Sequence, residues 1–225
     1  MKKRLPYDAI QSTGAYDELL KTLYMKVKRR VEEIDLPPVK VIAVHGNEPP
    51  ASPQYKDAIT VLYGIGYGLK MGLKFDKLQR PKKYFDYRVG ALESFWWSTG
   101  KTLDMKNPKT LRWQAYLMTP HFIPNALFEE ARTHAMAKHP QLPYDAASLD
   151  VVDEGRAVQI LHLGPYDQEA PTIEQLHRYI DEHGLRISGR HHEIYLSDPR
   201  RTKPEKLKTV IRYAVEERVI ERLSA

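Results

Sequence analysis

The clearest chemical signal in this sequence is the run His191-His192-Glu193-Ile194-Tyr195-Leu196-Ser197. In an extended chain alternate side chains point to opposite faces, so His191, Glu193 and Tyr195 share one face while His192, Ile194 and Leu196 share the other. The apolar pair on the second face is expected to meet a helix, which leaves a carboxylate between an imidazole and a phenol on the opposite face. A carboxylate withdrawn from water there either pairs with a cation or has its pKa raised toward a value suited to taking a proton from water. The plain alternative is a solvent-facing strand with ordinary polar residues.

Aromatic residues give the second signal. Trp96 and Trp97 must point to opposite faces of their strand, and Trp113 and Tyr116 split in the same way on the next one. Core packing explains most of these rings. A flat ligand held between indole and phenol rings would account for the rest, gaining about 0.5–1.5 kcal/mol per aromatic pair beyond the area it buries.

Several other chemistries find no support. Zero cysteines exclude a disulfide framework, a thiolate nucleophile and any zinc site built on sulfur. Of the nine histidines, His134 and His139 miss the i, i+4 spacing by one and the adjacent His191 and His192 face apart, so neither a metal nor another cofactor is expected. His191-x-Glu193 echoes the nucleobase deaminase signature, whose cysteine ligands this chain cannot supply. No Gly-x-Ser-x-Gly elbow supports a serine nucleophile. The string Gly64-Ile65-Gly66-Tyr67-Gly68 closes a helix pattern instead of opening one, so helix termination or close packing explains it better than a nucleotide loop does.

With 225 residues and 42% hydrophobic content, the chain can bury a substantial core. No apolar run approaches the ~20 residues of a membrane span, and no signal-peptide core follows Met1-Lys2-Lys3-Arg4, so a cytoplasmic protein without a membrane partner is expected. A formal charge of +6 and a pI near 9.3 invite a nucleic-acid reading. The basic runs Lys26-Val27-Lys28-Arg29-Arg30 and Arg200-Arg201 are, however, broken by nearby acids, and no DNA-binding motif encloses them. Solvated surface is the better reading, and direct nucleic-acid binding is not expected.

The elements that must position these residues repeat. The β-branched runs 39–46 and 155–164 each end at glycine and lead through a proline-bearing loop into a helix pattern that opens with Pro53 or Pro171. Two strand-like runs follow each helix: 85–98 and 111–118 in the first half, 191–197 and 209–215 in the second. This pattern predicts an α+β fold with duplicated strand-helix-strand-strand modules, antiparallel sheets forming a central ligand groove, and added helices. The expected divisions are an extension over 1–37 with an amphipathic helix at 14–34, a first module over 38–122, a helical connector over 123–150 and a second module over 151–225.

At the level of motifs the chain resembles the GyrI-like small-molecule-binding proteins in their stand-alone, two-module form. The resemblance is carried by Val158-Gln159-Ile160-Leu161-His162-Leu163-Gly164-Pro165-Tyr166-Asp167 and by 191–200, with Lys206-Leu207-Lys208-Thr209 downstream. Upstream, Leu23-Tyr24, Tyr55, Ala58, Leu62-Tyr63, Tyr67 and Leu92-Glu93-x-Phe95-Trp96-Trp97 also fit, whereas Ala91 and Ser94 stand where the family pattern has proline and glycine. The resemblance implies a groove between the modules for hydrophobic, aromatic or cationic compounds, with Glu193 on its floor. Some stand-alone members resemble hydrolases that open the cyclopropane of cyclopropanoid natural products. By that likeness Glu193, Tyr116 and Tyr195 become candidate catalytic residues, and Trp96, Trp97, Trp113, Tyr166, His191, His162 and Tyr67 candidate ligand contacts. A drug-binding or regulatory protein without chemistry, and a gyrase-interacting protein, are the alternatives.

Overall fold

In the computed structural model residues 7–100, 103–105, 107 and 109–218 are described; the basic stretch 1–6 lies outside them. The first module comprises β2 (Val39–Gly46), α2 (Pro53–Lys74), β3 (Leu92–Ser98) and β4 (Leu111–Met118), preceded by α1 (Thr13–Leu20) and β1 (Glu32–Leu36). After α3 (Asn125–Lys138) and β5 (Ala147–Val152), the second comprises β6 (Gly155–Leu163), α4 (Ala170–Glu182), the short β7 (Leu185–Ile187), β8 (His191–Tyr195) and β9 (Lys208–Glu217). The expected duplication is therefore present.

The strands form one antiparallel sheet in the order β1-β6-β9-β8-β3-β4-β2-β5, with β7 on β9. β3 and β8, one from each module, pair at its centre. β1 and β2 stand six positions apart in this order, roughly 29 Å in a flat sheet, yet only Pro37 and Pro38 join them, a link of roughly 11 Å. The same holds for β5 and β6, joined by Asp153 and Glu154. The sheet must curl until its ends approach each other, giving it an enclosed inner face and an outer face that carries α2 and α4.

The sequence pattern missed both edge strands. The helix expected over 14–34 stops near Met25, and β1 lies inside what was read as the N-terminal extension. β5 crosses the expected boundary at 150 between connector and second module, and the run 85–98 is strand only from Leu92. The glycine string does not end α2, which continues to Lys74. Its stripe of Ala58, Val61, Leu62, Ile65, Leu69 and Leu73 is almost wholly buried, which outweighs the ~1 kcal/mol that each helical glycine costs. Gly64 is instead a point of close approach, because a Cβ there would stand 2.7 Å from the Tyr144 hydroxyl. Gly184, at φ +65°, does terminate the second helix after Glu182.

The inner face buries a polar network. His192 contacts Glu93 (3.1 Å) through Nε2 and Glu154 (3.0 Å) through Nδ1, and the Arg212 guanidinium reaches Glu154 at 3.3 Å and Gln159 at 2.9 Å. Tyr24 and Tyr116 donate their hydroxyls to Glu93, and Arg212 also donates to the Leu23 carbonyl, so the segment after α1 plugs the interior. Burial works against a charged His192, but the Glu154 and Glu93 carboxylates overcome it and raise its pKa. His192 and Arg212 thus face the Glu93 and Glu154 side chains across the interior. Removing one partner leaves the others unpaired, so Arg212→Met should cost about 3–5 kcal/mol in urea unfolding. The His192 contribution should be complete below its ordinary value of about 6.5 and fade as pH rises through its higher native value. Glu154, whose pKa is lowered by the same partners despite burial, contributes above the ordinary carboxylate range and loses that contribution in acid.

Candidate functional site

A groove of about 1990 Å³ opens on the outer face between α2 and α4, with β3 and β8 as its floor. Drug-sized pockets measure ~300–1,000 Å³, so this one admits an extended polycyclic molecule. Both helices are fixed over their own modules by buried stripes, Leu176 and Ile180 in the case of α4, and the groove lies between them along the central β3–β8 pair.

Strand alternation sets the floor. Ser94 pairs with Glu193 and Trp96 with His191 on one side of the sheet, where Trp96, His191 and Glu193 line the groove with Tyr195 and Tyr213. His191 and His192 do face apart, as alternation requires. The face carrying His191, Glu193 and Tyr195 is nevertheless the helix side, and Ile194 packs into the interior, contrary to the expectation that the apolar residues meet a helix. The curled sheet offers a second enclosed face, and that face takes the apolar residue.

Glu193 is 8% exposed and accepts two short hydrogen bonds, from His191 Nε2 at 2.9 Å and from the Tyr195 hydroxyl at 2.7 Å. Behind them Tyr213 contacts His191 Nδ1 at 2.7 Å, and Trp96 Nε1 donates to the Tyr195 oxygen at 3.1 Å. Burial pushes the Glu193 carboxyl up, but the bonds and charge of His191 and the bond from Tyr195 outweigh it and hold the pKa below the usual range. Glu193 is therefore an ionised group on an apolar floor.

The sequence reading passed over Glu169. It precedes the first residue of α4, where an acid reads as an ordinary helix-start residue, yet it is 5% exposed and lines the groove. One oxygen each of Glu169 and Glu193 and one nitrogen of His191 lie within 4.8 Å of one another. That spacing meets the bare distance requirement of a small cation. Burial, reinforced by the Glu193 charge, raises the Glu169 pKa to about 9.

Of the expected contacts, Trp96, Tyr195, His191, Tyr166 and Tyr67 line the groove with Glu193. Tyr166 stands edge-on to Tyr195, and Tyr67 stacks on Tyr63 at the outer wall. Trp97 lines the end of the groove and carries the Arg190 guanidinium 3.6 Å above its ring. Three candidates are not brought there. Tyr116 belongs to the interior network; Trp113 is fully buried beneath Tyr55 and donates to the Glu48 carbonyl; His162 bonds Thr172 within its own module. Tyr55 forms the wall over Trp96, with its hydroxyl 2.7 Å from that of Ser94. Arg200, from one of the two basic runs, is forked onto Asp198.

The GyrI-like small molecule binding domain model matches residues 129–216. The solved structure of an uncharacterized conserved protein from Listeria innocua, 34% identical, superposes with a TM-score of 0.80 over 89% of this chain and 98% of its own. The chain belongs to the GyrI-like family. A second Listeria innocua structure, described as a hydrolase, is 32% identical with a TM-score of 0.78 over the same shares of the two chains. The EcmrR C-terminal domain shares the GyrI-like fold at 14% identity, with a TM-score of 0.52 over 86% of this chain and 99% of its own. No curated protein matches the chain. Among the described residues no helix is long and apolar enough to cross a membrane.

The support beneath Glu193 can be tested by Tyr195→Phe. The substitution removes one bond to the carboxylate and leaves the buried Trp96 N–H without an acceptor, so unfolding free energy near neutral pH should fall by about 1–3 kcal/mol. A depressed carboxyl pKa contributes stability above its unfolded value near 4.3 and loses it as pH falls through the native value. The difference between variant and wild type should therefore narrow below about pH 4.

Proposed function

We propose that this GyrI-like protein binds flat, hydrophobic or cationic small molecules in the aromatic groove and hydrolyses reactive cyclopropanoid electrophiles among them. The observation that carries this reading is the ionised Glu193, held by two donors at the floor of a groove walled by Trp96, Tyr55 and Tyr166. The Listeria innocua relative described as a hydrolase supports the catalytic half.

The chemistry needs no covalent intermediate. Water bonds to the cyclopropane carbon, the strained carbon–carbon bond breaks, and its electron pair passes through the conjugated ring onto the distant carbonyl oxygen, which becomes a phenolate. Glu193 takes one proton from the attacking water as the carbon–oxygen bond forms; the product alcohol keeps the other, and the proton leaves Glu193 to solvent afterwards. Tyr195 and His191 are committed to Glu193 and act by orienting it. Tyr166 is the donor left for the developing oxyanion: burial and the Glu193 charge push its pKa to about 12, so it carries its proton at neutral pH. Stacking on the aromatic walls fixes the substrate so that water approaches from the Glu193 side.

Incubation with a cyclopropanoid substrate, followed by absorbance as the dienone becomes a phenol, tests the reading. Wild type should turn over, and Glu193→Gln should lose about 10²–10⁴ in kcat/KM while retaining binding of flat neutral compounds. Tyr166→Phe should lose rate with little change in KM. Binding without turnover across several analogues would sink the hydrolase assignment and leave a sequestering protein, the reading favoured by the family's description as small-molecule binding.

A further inference from the structure

The mechanism above leaves Glu169 unused, although it is one of the most deeply buried acids in the protein. Its Oε1 atom has no hydrogen-bond partner and is shut off from solvent, while the carboxylate facing it, Glu193, receives both available donors. Two carboxylates this close and this buried resist ionising together, and the one with the poorer set of donors, Glu169, holds the proton. We propose that Glu169 is a latent second anchor for cationic ligands: it is neutral while the groove is empty and releases its proton when an organic cation settles beside Glu193. The proposal rests on the reading of this groove as a small-molecule site.

The surroundings favour this exchange. The groups set against Glu169 are His191 and Glu193 from β8, Tyr213 and Thr209 from β9, and Tyr166 from its own turn. No lysine or arginine is among them to balance a second negative charge. A ligand cation would supply what is missing, in a space lined by rings that accept cations on their faces. Glu169 also sits at the start of α4, where the helix N-terminus lessens the cost of ionisation once the proton has gone. With its pKa near 9 in the empty groove, the residue holds a releasable proton across the neutral range.

The consequence is proton-linked binding. N-methylquinolinium, a flat permanent cation, and quinoline, its neutral counterpart above pH 6, provide the probes. Titration calorimetry in buffers of different ionisation heat should show about one proton released as N-methylquinolinium binds wild type at pH 7.5. Its affinity should climb by up to tenfold per pH unit from pH 6 to 9, while quinoline binds without either effect. Glu169→Gln should keep quinoline affinity within about twofold, release no proton and lose the pH slope. No proton release by wild type, or equal release by Glu169→Gln, would overturn the proposal while leaving the groove reading intact. If neither probe binds wild type, both fall together.

Discussion

The five-residue ladder between β3 and β8 joins the two modules, and the rest of the molecule depends on its register. Because side chains alternate with a period of two, each step along it sends one residue to the groove and the next to the interior. Ser94 and Glu193 go outward as a pair; Phe95 and His192 go inward as the next. A slip by one residue would place Glu193 inside, beside Glu93 and Glu154, and would turn His192 out of the network that neutralises them.

The two faces solve the problem of buried charge in opposite ways. Inside, charges are matched within the protein: His192 and Arg212 answer Glu93 and Glu154, and tyrosine hydroxyls satisfy the remaining oxygens. On the groove side Glu193 is held by His191 and Tyr195, and Glu169 receives no donor on Oε1. The inner arrangement is complete and serves to fix the sheet. The outer one leaves a buried carboxyl oxygen unpartnered beside an aromatic cavity, which is the condition for recruiting a partner from solution.

Much of this was legible in the sequence because it followed from short-range rules. The proline-opened helices, the β-branched runs 39–46 and 111–118, and the shared face of His191, Glu193 and Tyr195 needed only local geometry. What escaped depended on partners distant in sequence. β1 and β5 are short strands whose neighbours, β6 and β2, lie more than one hundred residues away, so no local pattern marks them. Glu169 looks like any acid beginning a helix, and only the folded chain brings it against Glu193. Tyr116 illustrates the reverse: its alternation away from Trp113 was legible, but the existence of an enclosed inner face to receive it was not.

The crossed edge strands also govern the order in which the molecule can assemble. β2 leaves the ribosome with its outer edge bare and cannot be flanked on that side until β5 has been made, about a hundred residues later. β1 must wait still longer for β6. An emerging first module is thus an open sheet with exposed backbone donors and acceptors on its rim, and closure requires the second half. Neither half pairs all of its strand edges from its own residues, and contacts of such long sequence separation favour slow folding for a chain of this size. The repeat visible in the architecture therefore conceals an order of assembly in which the edges of the first half close only on strands made later.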